Sequence, residues 1–273
     1  MEAREVMLGS RFFTSTLLIL VAMAVASCTK PHETNVVAPQ PSKPWTGLTQ
    51  DVRAVWSAEP GIDLVRGPAV VVRAYIESYF LAREMGTIDA TYPGFTRAVP
   101  PTTSDSDPLA DPRPQTSHPA PHPIVGTDKR HILRIDKSGS STVAIVCDYS
   151  TYTSAFDQGN GTFGYPTGVM DDGVGTWRMA MSAASNATGS LPPQRGPAAA
   201  PVTDVFGDWR IESWESSLAT YPNWPTSTAD SQACRALAPD PIERRKALRN
   251  GTHPRSDYPT LPPYPGWPEA GPA

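Results

Sequence analysis

AVVVRAYIESYFLAREMG, residues 69–86, is the stretch on which the fold class turns. Val72, Tyr75, Ile76, Tyr79, Phe80 and Arg83 recur at i, i+3, i+4, i+7, i+8 and i+11, one face of a helix with Arg83 breaking the apolar stripe at its end. Arg73, Glu77 and Glu84 fall off that face, and Arg73 and Glu77, four apart, suit a weak ion pair on a solvated side. Pro68 suits the first turn, where a missing N–H costs nothing. Gly86 suits the stop, where the chain must adopt a left-handed conformation. The pattern predicts an amphipathic helix that lays its aromatic stripe on a sheet. The same stripe could line a ligand cavity.

Downstream the period changes to two. HILRID (131–136) reads as a first strand, closed by the turn 137–140, and TVAIVCDY (142–149) as a second, the two forming a hairpin. In the second, Val143, Ile145, Cys147 and Tyr149 share one face, and Thr142, Ala144, Val146 and Asp148 the other. GTWRMAMS (175–182) is a third strand, with Trp177, Met179 and Met181 opposed to Thr176, Arg178 and Ala180. VFGDWRIESWE (205–215) is a fourth, with Trp209 and Ile211 opposed to Arg210, Glu212 and Trp214. A helix followed by four strands predicts an α+β fold: an N-terminal amphipathic helix packed on a curved antiparallel sheet of about four strands. Residues 48–58 have short helical character. Asp148, Arg178, Arg210 and Glu212 then fall on one side of the sheet. They form either a solvated ladder of opposite charges or, if buried, a polar cavity with Asp148 or His131 as candidate base.

The connections are rich in proline, of which the chain has 31. Residues 100–124 are a low-complexity insertion in the domain 45–216. Residues 150–173 form a loop bearing Tyr152, Phe156, Phe163 and Tyr165, which could serve recognition or fold back as a small core. Residues 217–273 are a Pro-rich C-terminal tail with a short basic helix, 242–250, bounded by Pro241 and Gly251. His118 and His122 are four apart, but prolines at 119, 121 and 123 forbid the helix that would let them share a metal. No GxSxG, SxxK, HExxH, CxxC or phosphate-binding Gly loop occurs. No catalytic, cofactor-binding or metal residue is therefore assigned.

The N-terminus supplies an address. LLILVAMAVASC (17–28) contains ten consecutive apolar residues, 17–26, before Ser27, where a membrane span needs roughly 20. Behind Arg4 and Arg11, offset by Glu2 and Glu5, this is a signal peptide over residues 1–27, with Met7 an alternative start. Its end, Val25-Ala26-Ser27-Cys28, resembles the bacterial lipoprotein lipobox: an aliphatic residue, two small ones that let the backbone enter a processing site, and a thiol that can take a thioether-linked lipid. The resemblance implies that Cys28 carries diacylglycerol and a further acyl chain such as palmitate, becomes the mature N-terminus and anchors the chain to the outer face of the cell membrane. Two acyl chains anchor stably where one does not. Residues 28–44, with four prolines and little apolar content, form a flexible tether.

The chain carries 23 Lys+Arg against 27 Asp+Glu, a net charge of −4. Without basic clusters it has no footprint for nucleic acid. Of three cysteines, lipidation of Cys28 leaves Cys147 and Cys234, which form a disulfide in an oxidising compartment or remain unrelated thiols.

The helix-then-strands order resembles the helix-plus-curved-sheet fold of nuclear transport factor 2-like and cystatin-like domains. Lipobox, Pro-rich linkers and a Trp-bearing last strand together resemble uncharacterised mycobacterial-type envelope lipoproteins of actinobacteria. These resemblances imply a lipid-anchored cell-envelope protein, a non-catalytic binding or accessory module with a possible envelope protein partner. The alternative is an enzyme with a small pocket between helix and sheet.

Overall fold

The computed structural model describes residues 44–101, 110–165, 172–183 and 192–270. The expected signal peptide 1–27, the lipidation site Cys28 and nearly all of the tether 28–44 lie outside the described residues.

Strand β1 (Asp51–Ala58) comes first, followed by helix α1 (Pro68–Met85) and the short helix α2 (Phe95–Ala98). Then come β2 (Ile124–Ser138), β3 (Ser141–Asp148), the single turn α3 (Ser150–Thr153), β4 (Ser154–Gly159), β5 (Thr162–Gly164), β6 (Gly175–Ser182) and β7 (Arg210–Ser216). Helices α4 (Ser227–Ala236) and α5 (Ile242–Arg249) and the two-residue β8 (His253–Pro254) close the chain. The strands form one eight-stranded sheet in the order β7-β6-β3-β2-β4-β5-β8, with β1 pairing in parallel on β2 and every other pair antiparallel.

This corrects the expected arrangement of an N-terminal helix on about four strands. The extra strands are β1, β4, β5 and β8, and the expected first strand is longer than its sequence pattern suggested. In β1, Val52, Ala54 and Trp56 are buried and the residues between them are not, so residues 48–58 are largely strand rather than helix. β2 begins at Ile124, seven residues ahead of His131. Its first half sends polar side chains, Thr127, Asp128 and Arg130, into the interior, so no apolar period marks it.

Helix α1 occupies the stretch that its spacing predicts, with Pro68 at its start and Gly86 in the left-handed conformation at its end. It is not amphipathic in its surroundings. Only Pro68, Tyr79, Arg83 and Met85 of its 18 residues escape burial. One side faces the sheet in a cluster with Trp56, Ile132, Val146, Met179, Met181, Ile211 and Trp214. The other is covered by loop and tail: the Arg73 guanidinium donates to the carbonyls of Leu64, Gln194 and Gly266 and lies 4.2 Å from the Trp267 ring centroid. A helix buried on all sides must satisfy its charges internally.

Glu77 shows how. Its carboxylate accepts from Trp56 Nε1 at 2.7 Å, Tyr92 Oη at 2.6 Å and Trp267 Nε1 at 2.9 Å. Trp45 Nε1 donates in turn to Tyr92 Oη. Three side chains, from the first strand, the segment after the helix and the C-terminal region, thus converge on one carboxylate, with Trp45 behind Tyr92.

The opposite face of the sheet carries a second cluster, Val125, Cys147, Tyr149, Tyr152, Phe163, Cys234, Leu248 and Tyr258. Cys147 on β3 and Cys234 on α4, 87 positions apart in the sequence, are joined by a disulfide. Helix α4 packs on β3 and β6, and α5 packs on α3. Residues after 217 are therefore part of the folded unit: Trp224, Cys234, Leu248, Tyr258 and Trp267 are all buried.

Candidate functional site

Between α1 and the sheet lies a cavity of about 50 Å³, lined by Ile76, Tyr79, Phe80 and Arg83 of α1 and by side chains of four strands. Alternation along the strands sets those contributions. β2 turns Asp128, Arg130 and Ile132 toward α1, and β3 turns Val146 and Asp148 the same way. β6 supplies Trp177. β7 supplies Trp214 through an irregularity: Met181 pairs with Ile211 but Ala180 pairs with Ser213, so Glu212 is an extra residue. A bulge of one residue reverses the alternation. It puts Ile211 and Trp214 on the same face, where strict alternation from Trp209 and Ile211 would send Trp214 away.

The polar groups here are unusual for an interior. Arg130 is 5% exposed, with Nη2 2.7 Å from Asp128 Oδ2 in an ion pair. Its guanidinium carbon stands 5.7 Å from the Trp56 ring centroid and 5.8 Å from that of Phe80. Its Nε and Nη1 are buried without a hydrogen-bond partner, as is Nε1 of Trp177, and neither oxygen of Asp128 is in hydrogen-bond geometry. Burial pushes the Asp128 carboxyl up to about 7; Arg130 opposes the rise, and Asp148 and Glu77 add to it. Buried polar groups ordinarily find partners, so these open groups of Arg130, Trp177 and Asp128 make the cavity the candidate site.

The rim is better satisfied. Asp148 Oδ1 accepts from the Ser150 N–H at 2.9 Å. Arg83 is ion-paired with its neighbour Glu84. Trp177 and Trp214 stack with centroids 4.8 Å apart and planes 5° apart, and Tyr79 lies 5.9 Å from Trp214. Burial raises the Tyr79 hydroxyl above its usual range.

The expected side of Asp148, Arg178, Arg210 and Glu212 does not exist as a unit. Asp148 lines the cavity. Arg178 points from the other side of β6 and pairs with Glu215, not Glu212, at 2.9 Å, and Glu215 also accepts from Ser213 and Asn223. Arg210 and Glu212 are exposed. His131 lies on the face of β2 away from Arg130. There its Nδ1 is 2.9 Å from Ser57 Oγ and its Nε2 is 3.2 Å from Glu59 Oε1. His118 and His122 are both exposed, and among the described residues no group of three or more His, Cys, Asp or Glu side chains could hold a metal ion. Nor does any helix among them have the length and apolarity to cross a membrane.

Sequence reasoning missed Asp128 and Arg130. The signal that could have found them is the run 124–132, in which Ile124, Gly126, Asp128, Arg130 and Ile132 alternate with residues of the other face. No protein-family model, curated protein or solved structure matches the chain.

Proposed function

We propose that this chain is a cell-envelope protein, held at the outer face of the membrane by lipid on Cys28, whose folded domain is a non-catalytic binding or accessory module. The observation that carries the reading is the cavity itself. At about 50 Å³ it falls well short of the roughly 300 Å³ at which pockets enclose whole small molecules, and its open groups are N–H donors that bind rather than react. The lipobox-like Val25-Ala26-Ser27-Cys28 supports the address, and the Cys147–Cys234 disulfide fits an oxidising compartment. The test is mass spectrometry of the full chain extracted from membranes and digested without reduction. A diacylated Cys28 at the N-terminus supports the reading, and an unmodified N-terminus beyond Cys28 overturns it.

One observation favours an enzyme instead. Ser57, His131 and Glu59 stand in the order nucleophile, base, orienting carboxylate, at 2.9 and 3.2 Å. The trio takes second place because Ser57 is exposed on β1 and lines none of the cavities found beside α1, at its N-terminal end or under α5. A fluorophosphonate probe that labels Ser57, with loss of labelling in His131→Gln, would move it to first place.

A further inference from the structure

We propose that the cavity under α1 receives the carboxylate end of a small organic acid, with Arg130 and Trp177 as its ligands. The proposal rests on the binding-module reading and adds the chemistry of what is bound.

Three N–H groups stand open: Nε and Nη1 of Arg130 and Nε1 of Trp177, all buried and all without a partner among the described residues. Both side chains line the cavity, and Arg130 is 95% buried, since it is 5% exposed. Both oxygens of Asp128 are open as well, but Asp128 is not among the side chains that line the cavity, so the open groups facing it are donors and call for a group made of acceptors. A charged donor such as a guanidinium gives its shortest and strongest hydrogen bonds to carboxylate or phosphate oxygens.

Size and charge choose between these two. A cavity of about 50 Å³ has the room of one or two waters at their liquid share of about 30 Å³ each, which suits a planar three-atom carboxylate. A phosphate is larger and carries up to two charges. The positive charge on offer is limited, because Arg130 already shares its charge with Asp128 and Arg83 with Glu84. Asp148 also lines the wall, and a dianion would meet it at close quarters. A monoanion with one bare carboxylate is the better match.

The mouth supports an organic acid rather than an inorganic ion. Tyr79 and Trp177 are half-buried, and Trp177 stacks on Trp214. The carbon chain of an acid whose carboxylate sits inside would run across these rings and bury apolar surface, which is favourable at about 0.8 kcal/mol per methylene. Without such a ligand the polar interior would hold water, which the carboxylate displaces.

The test uses the full chain with ¹⁵N-labelled tryptophan side chains, titrated with sodium formate, acetate and butyrate and, in a separate arm, with inorganic phosphate. The expected result is a saturable shift of one indole N–H resonance with all three carboxylates, tightening from formate to butyrate by up to about fourfold per methylene, and no saturable shift with phosphate. Trp177→Phe should remove that resonance and weaken butyrate binding measured by calorimetry at least tenfold. Arg130→Gln should abolish binding; should that variant fail to fold, the Trp177→Phe result stands on its own. No saturable shift with any carboxylate means the cavity holds water only and overturns the proposal. Binding of phosphate in preference to the carboxylates overturns it too. Silence in this titration leaves the binding-module reading standing if Cys28 is lipidated, whereas a phosphonate-labelled Ser57 would sink that reading without touching the cavity.

Discussion

Glu77 is the residue on which distant parts of the chain depend. It accepts from two tryptophan N–H groups and one tyrosine hydroxyl, so it has no solvated substitute. Glu77→Gln should destabilise by about 2–4 kcal/mol in a denaturant titration, because one amide N–H would face a donor and the charge that strengthens all three bonds would be gone. Tyr92→Phe removes one of the three bonds to Glu77 and also the acceptor of Trp45 Nε1, and should cost about 2–4 kcal/mol. Asp128 gives a different signature. Its folded pKa, about 7, is raised above the unfolded value of 3.8 by burial first. Below 3.8 both states are protonated and there is no penalty. Between 3.8 and 7 the unfolded state loses its proton while the folded state keeps it, so this group's contribution to stability falls as pH rises and levels off above 7. Asp128→Asn should flatten the decline of unfolding free energy between pH 4 and 7, a difference on the order of a few kcal/mol. A variant with the same slope as the parent would show that Asp128 does not titrate there.

At the scale of elements, α1 shows how far spacing reaches. Its ends were legible because Pro68 and Gly86 act locally on backbone dihedrals. Its burial was not, because nothing within 69–86 says that Gly266 and Trp267 will cover the side bearing Arg73. The fourth strand shows the converse. Its second half was legible as a strand, whereas 205–209 lie outside β7, and the facing of Trp214 depends on Glu212 being unpaired opposite β6. Deleting Glu212 should remove the bulge and leave Ile211 and Trp214 two apart, still on one face. The near-ultraviolet circular dichroism of the Trp177–Trp214 stack should then persist, whereas Glu212 kept with a further residue inserted beside Ser213 should turn Trp214 outward and abolish it. Trp267→Ala tests the tail as an element of the core: it removes a ring buried to 1% that donates to Glu77 and carries Arg73. The expected loss is about 3–5 kcal/mol, where a loosely wrapped tail would lose almost nothing.

For the whole molecule, the two faces of the sheet are fastened differently. The α1 face is held by aromatic packing and the Glu77 bonds, and the α4–α5 face by Cys147–Cys234. Replacing both cysteines by serine should lower stability by about 4–5 kcal/mol, since a loop of nearly ninety residues is released in the unfolded chain. Thermal unfolding with and without reductant checks this. The sequence by itself determined the things that act over a few residues: the helix limits set by Pro68 and Gly86 and the alternation of β3 and β6. Tertiary structure alone decided how many strands join the sheet, which way Trp214 faces, and that Arg73, Glu77, Asp128 and Arg130 are interior. The physical reason is that a charged side chain reads as solvated until its partners are known. Here those partners lie as far as 193 positions away, at Gly266 for Arg73, where no local period can register them.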